Sequence, residues 1–355
     1  MTPVEAAERN LHWLLKPVTD YLDNPSMTDF HINGAGSGKC FVDCGRGYDQ
    51  ITLPYSWDDL DLIAINAASY TSQDIGEDVP LVSAKFPGGH RVQIVRPPAV
   101  PDGSYAFSIR QPKKQTSTPA ELEAQGVFRR AVARRDEASE AMRATGRLLE
   151  LYQAKRWREF LELAIRTKHR IVFAGPVGTG KTHIMRAFTH AIPLSWRLIT
   201  IEDMQEMINL PHRNVVHLLY SKGRQSVADV DSDDLVAASL RMGPDGLFHQ
   251  ELRDEAAYSF MQVLDSGHFG MTTTHAESAE DTRERILSLV KSHPKGAHLE
   301  DEKVRTALHK SIDVIVYCAR DGSAEDAPRY IEQILYDPEA KARLANVRGL
   351  FQPAA

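Results

Sequence analysis

The sequence predicts an α/β protein in two parts: a mainly parallel sheet domain over 151–355, preceded by a smaller α+β domain over 1–111 and a charged linker over 112–150. Three observations carry this. Past residue 150, apolar strand-like runs alternate with helical patterns, as parallel strands joined by crossovers do. Before residue 111, short strands bounded by turn residues dominate, with helical stretches set apart from them. Between the two, the composition shifts to charge and alanine: eight basic and five acidic side chains fall between 113 and 147. That shift reads as a solvated linker with a charged helix.

The elements follow in order. Leu11, Leu14, Leu15, Val18 and Leu22 recur at helical spacing, and Pro17 predicts a kink or split within that helix. Strands are expected at 29–32, 40–43 and 50–53, a helix over 57–72, and further strands at 81–85, 91–95 and 105–110. In the second part a helix runs to Lys168 and a strand covers 170–174. A helix then sets Ile184, Met185, Phe188 and Ile192 on one face. Strands at 197–201, near Leu247, at 270–274, 313–318 and 330–336 alternate with helices near 235–241, 254–264 and 278–290.

Composition narrows the function. A chain with 42% hydrophobic and 25% charged residues is neither wholly disordered nor a coiled-coil rod. The net charge of -6 argues against a polycation, so direct nucleic-acid binding is not indicated. Cys40, Cys44 and Cys318 are too few for a disulfide framework, and the Cys40/Cys44 pair with His31 lacks the second pair a zinc site wants. No apolar run approaches ~18 residues, and Glu5, Glu8, Asp20 and Asp23 interrupt any leader-like stretch. The expected location is the cytoplasm.

The most specific motif is Gly175-Pro176-Val177-Gly178-Thr179-Gly180-Lys181-Thr182, a complete G-x-x-x-x-G-K-[ST]. An apolar strand precedes it and an amphipathic helix follows, which is the context the motif needs. Its glycines let backbone N–H groups turn toward phosphate oxygens, and the helix N-terminus adds partial positive charge. Lys181 suits β- and γ-phosphates, and Thr182 suits Mg²⁺. The glycine-rich run at 33–38 lacks a following helix and reads as a loop.

Nucleotide hydrolysis also needs acids at neighbouring strand ends. Glu202, Asp203 and Glu206 follow the strand at 197–201, and Glu251 and Arg253 follow Leu247-Phe248. His268 and His275 bracket a polar strand of threonines, whose His275 end could sense a γ-phosphate.

These four segments, in this order, resemble the traffic ATPases of bacterial secretion, most closely the VirB-type hexameric ATPases of type IV secretion and conjugation. Thr28 to Gly34, Pro87 to Arg91 and Phe107 to Arg110 resemble segments of that family's N-terminal domain. The resemblance implies a RecA-like ATPase domain using ATP and Mg²⁺. It implies that the loop from Gly175 to Thr182, with His183, holds the nucleotide. Glu206 would be the water-activating base, Glu202 and Asp203 would support magnesium, and Glu251 with Arg253 would form the second acidic element. His268 and His275 would lie near the γ-phosphate, and Arg91 and Arg110 would stabilise phosphate charge.

It further implies a homo-hexamer at the cytoplasmic face of the inner membrane, with secretion-machine subunits as partners and peripheral membrane contact. The sequence departs from the family pattern in two places. Glycines flank Pro244-Asp245, and Gln250 precedes Glu251 where glycine is usual. The competing readings are a pilus or type II secretion ATPase, a nucleic-acid motor, and a nucleotide-binding ring with weak turnover. Phosphate release separates motor from scaffold, and stimulation by single-stranded DNA marks the nucleic-acid motor.

Overall fold

The computed structural model describes residues 2–36, 39–112, 118–124, 126–129, 140–221, 227–253, 256–322 and 328–340, with backbone alone over 140–145. Part of the expected linker (113–117, 125 and 130–139), the end of the 33–38 glycine run and the expected start of the helix at Asp254 lie outside these residues.

Two sheets organise the chain. The first has six strands, β1 (Asp29–Ile32), β2 (Cys40–Asp43), β3 (Tyr48–Ile51), β4 (Leu81–Lys85), β5 (Arg91–Val95) and β6 (Ala106–Arg110), in the order β3-β2-β1-β6-β5-β4. All its pairings are antiparallel. Helices Pro3–Leu14 and Trp57–Tyr70 cover it, burying Leu11, Leu60, Ile63 and Ala67 against Phe30, Ile94 and Phe107. Ser56 and Asp59 close a capping box that starts the second helix. The first helix stops at Leu14, and a 3₁₀ turn carries Pro17, so the expected break is present although the helix begins earlier, at Pro3. The third strand lies at 48–51 rather than 50–53, because Pro54 follows closely and the register is set by Asp43 opposite Tyr48.

The second sheet has seven strands: β7 (Ile171–Ala174), β8 (Leu198–Glu202), β9 (Val215–Leu219), β10 (Gly246–His249), β11 (Gly270–Thr274), β12 (Val314–Arg320) and β13 (Arg329–Tyr336). Their order is β13-β12-β7-β11-β10-β8-β9, parallel throughout except for the edge strand β13. Alternation along each strand splits the core into two layers. Val172, Ile199, Leu247 and Ile315 face helices Ser232–Arg241, Ala256–Asp265, Thr282–Ser292 and Asp301–Ser311. Phe173, Leu198, Phe248 and Val316 face helices Trp157–Arg166 and Lys181–Phe188. Strand β9 and the helix at 301–311 are additions to the sequence expectation.

The two sheets meet through a buried polar cluster. Arg197 is fully buried; it donates to Asn33 Oδ1 at 3.0 Å, Asn214 Oδ1 at 2.5 Å, Ser108 Oγ at 3.1 Å and the Met242 carbonyl at 3.0 Å. Burial pushes its guanidinium down to about 10, against the pull of Tyr48, Asp29 and Asp245. His31, bonded to Ser108 and Tyr48, is held well below the ordinary histidine value by burial first and by the Arg197 and Arg110 charges second. Val95, Ala99, Val100 and Ala106 join the core of the second sheet. No helix among the described residues is long and apolar enough to cross a membrane.

Candidate active site

Register brings the sequence-distant motifs together. Ala174 pairs with Thr274, Ile201 pairs with His249, and His249 pairs with Thr272, so β7, β8, β10 and β11 all end at one edge of the sheet. The residues just past those ends converge there. A cavity of about 590 Å³ opens at this edge.

The phosphate-loop backbone depends on its glycines. Gly175 sits at φ +144°, and a Cβ there would lie 2.2 Å from the Cys318 carbonyl oxygen, so only glycine fits between β7 and β12. Gly180, at φ 80°, forms the left-handed entry to helix Lys181–Phe188, and Gly178, at φ 79°, turns the loop before it. Val177, Gly178, Gly180, Lys181, Thr182 and His183 line the cavity. Gly175, Pro176 and Thr179 stand behind that wall, where the Thr179 hydroxyl donates to the Pro176 carbonyl at 2.9 Å.

Lys181 is almost completely buried. Its ammonium donates to the carbonyls of Gly175 and Pro176, both at 2.9 Å, and to His275 Nδ1 at 3.1 Å. Burial lowers its affinity for a proton, and the Glu251 charge opposes that shift. With Nδ1 accepting from Lys181, the His275 proton belongs on Nε2, which lies 2.7 Å from Glu251 Oε1. That is a close contact without aligned hydrogen-bond geometry. Glu251 Oε2 accepts from Arg253, whose other nitrogen lies 3.5 Å from Asp203. A single line of polar groups thus runs from Lys181 through His275, Glu251 and Arg253 to Asp203.

The acids after β8 divide by burial. Glu206 is exposed and lines the cavity, and its carboxylate has no partner among the described residues. Glu202 is fully buried, is not part of the cavity wall, and has both oxygens engaged. Oε1 accepts from Thr200 at 2.5 Å and from His217 at 3.1 Å; Oε2 accepts the backbone N–H groups of Glu206 at 2.7 Å and Met207 at 2.8 Å. Burial alone would raise its pKa, but the bonds from His217, Thr200 and Met207 reverse that and hold the carboxyl below its ordinary value. With no lone pair directed at the cavity, Glu202 is corrected from a metal-supporting acid to an anchor for the loop that carries Glu206.

Three further expectations need correction. His268 and His275 sit at opposite ends of β11, roughly 20 Å apart at strand spacing. His268 bonds Ser266 at the amino end, away from the cavity. A strand crosses the whole sheet, so only one of its ends can meet the phosphate loop. Arg91 and Arg110 face each other across β5 and β6, and Arg110 bonds Asp29 at 2.8 Å. Arg110 also lies beside Gly243, where a Cβ would stand 3.5 Å from its guanidinium. Gly243 precedes the amino end of β10. Both arginines are therefore about a strand's length, roughly 15 Å or more, from the cavity of their own protomer.

Sequence reasoning missed several residues at the site. Arg186 lines the cavity and donates to the Glu206 carbonyl at 3.2 Å; it falls one helical turn after Thr182, a spacing that shares a face. Gln205, Ile208 and Gln250 line it too. Arg329, paired with Arg320 across β12 and β13, donates to the Gly178 carbonyl at 3.0 Å. That contact comes from the far end of the chain and leaves no local signal.

Residues 130–320 match the family described as "Type II/IV secretion system protein". The chain is 36% identical over 313 residues to Protein VirB11 of Rhizobium radiobacter, covering 86% of this chain and 89% of that one. It is 34% identical over 344 residues to the type IV secretion system protein VirB11 of Brucella suis, covering 96% and 93%. The crystal structure of the Brucella suis VirB11 ATPase in complex with sulphate superposes with a TM-score of 0.88 at 32% identity, covering 96% of this chain and 98% of that one.

Proposed function

The chain belongs to the VirB11 family of type IV secretion ATPases, and on that premise we propose that it hydrolyses Mg²⁺-ATP in the cavity at the carboxyl edge of its parallel sheet. The observation that carries the proposal is the polar line from Lys181 to Asp203, which ties the phosphate loop to three other strand ends. Lys181 is charged, buried and already hydrogen-bonded, so phosphate oxygens can take over donors that now serve loop carbonyls. The helix N-terminus at Lys181 favours the same anion.

Among the described residues, no group of three or more His, Cys, Asp or Glu side chains is arranged to hold an ion alone. This suits magnesium that arrives with the nucleotide, since that ion keeps most of its waters and needs only one or two protein oxygens. Thr182 and Asp203 are the residues we assign to it. When bound, the ion withdraws charge from the phosphates. Glu206, exposed at the cavity with an unencumbered carboxylate, takes a proton from the attacking water. His275 couples the phosphate-binding lysine to Glu251, so that occupancy at one bears on the other.

The chain works in a secretion machine as a homo-oligomer, which we propose is a hexamer at the inner face of the membrane, driving its partner subunits by movement of one sheet relative to the other. Arg91 and Arg110 serve phosphate charge in a neighbouring protomer. Steady-state phosphate release and nucleotide binding test the reading. Lys181→Ala should lose turnover by at least ~10²-fold and weaken ATP binding. Glu206→Gln should keep binding and lose turnover. Wild-type turnover in both variants would remove the assignment.

A further inference from the structure

We propose that Gln250 holds the attacking water for the hydrolysis described above, and the inference rests on that reading. Gln250 is 7% exposed, lines the nucleotide cavity, and its amide Oε1 is buried with no hydrogen-bond partner. A buried amide oxygen without a donor is costly, and in this chain Gln250 is where such an oxygen belongs to a residue of the nucleotide cavity wall. Gln93 shows the contrast: it is equally buried, and its Oε1 accepts from Ser83 at 2.6 Å.

The backbone of Gln250 is fixed on both sides. Its N–H donates to the Ile201 carbonyl at 2.9 Å, and its carbonyl accepts from Thr273 Oγ1 at 2.8 Å. Its Cα is thus pinned between β8 and β11, at the cavity wall. The next residue, Glu251, is occupied by His275 and Arg253. Among the described residues, Glu251 Oε1 at this wall also lacks an aligned donor but faces His275 Nε2 at 2.7 Å, which leaves Gln250 Oε1 and the Glu206 carboxylate as the acceptors that face no donor.

A water between them has both protons directed. In the step, the water oxygen forms a bond to the γ-phosphorus. The bond from that phosphorus to the β–γ bridging oxygen breaks, and its electron pair leaves with ADP. One water proton passes to Glu206. The other stays on the oxygen, now a phosphate hydroxyl, and is hydrogen-bonded to Gln250 Oε1 throughout. Gln250 exchanges no proton; it aims the lone pair at phosphorus, a geometric role whose loss costs on the order of 10²-fold.

The test substitutes Gln250→Met, which keeps volume and removes the acceptor, in the full chain. Three readouts are needed: phosphate release, affinity for a non-hydrolysable ATP analogue, and affinity for ADP with a metal fluoride, which mimics the transferring phosphoryl group with its in-line water. We expect turnover to fall roughly 10–10²-fold and metal-fluoride affinity to fall by a similar factor, with analogue affinity within about twofold of wild type. Wild-type turnover in Gln250→Met overturns the proposal. Equal losses in analogue and metal-fluoride affinity also overturn it, because they mark a packing role. A wild-type chain whose phosphate release equals that of Lys181→Ala defeats the hydrolysis reading itself, a result distinct from either.

Discussion

At the scale of single residues, burial separates acids that sequence treats alike. Glu202, Asp203 and Glu206 fall within five residues at the end of β8, and only the family resemblance, not their residue types, gave them separate roles. Glu202 lies under the sheet edge with four donors, Asp203 reaches Arg253, and Glu206 faces the cavity. The folded carboxyl of Glu202 titrates below its ordinary value, so its stabilisation is full above about 4.5 and is lost as pH falls through the lower folded value. Glu202→Gln should cost on the order of 3 kcal/mol at neutral pH, the scale of breaking a buried charged network. Urea melts from about pH 7 to about pH 3 should show wild type and variant converging at the acid end. A gap independent of pH would mean the carboxylate charge is not what holds the loop.

At the scale of elements, the phosphate loop was legible because every part of it is local: an apolar strand, three glycines and a helix in one run. Its tightest constraint was not. Gly175 is required by the Cys318 carbonyl on β12, more than a hundred residues away, at 2.2 Å from where a Cβ would stand. Gly175→Ala should therefore displace β7 from β12, destabilise the fold by on the order of 2 kcal/mol or more, and abolish nucleotide binding. A thermal melt with and without an ATP analogue reads both effects; an unchanged melt would mean the loop and β12 are less tightly joined than they stand. Strand β9 went unread because Val215-Val216-His217-Leu218-Leu219 has no alternation and pairs only at the edge of the sheet. The two histidines flanking β11 illustrate the opposite error. The family resemblance implied that both lie near the γ-phosphate, but an extended strand carries them to opposite edges.

At the scale of the whole molecule, strands alternating with helices were enough to expect a mainly parallel sheet, the order of motifs was enough for the secretion-ATPase resemblance, and the chain is a member of that family. The relation between the two sheets was beyond sequence reasoning. It rests on Arg197, which sits between Asn33, Ser108 and Asn214, a contact set spread over 182 positions of the chain. That packing leaves Arg91 and Arg110 at the amino edge of the parallel sheet, away from their own cavity. On this arrangement the nucleotide site we propose is built on one protomer and completed by arginines from another. Mixing two inactive variants, Lys181→Ala and Arg110→Ala, tests it directly. If the arginine acts across a boundary, about a quarter of the sites in an equal random mixture are whole, because each joins an intact Lys181 to a neighbour's intact Arg110. Phosphate release should then recover on mixing, above the sum of the two variants measured apart. If it stays at that sum while the wild type turns over, no site has been completed from outside, and the claim fails.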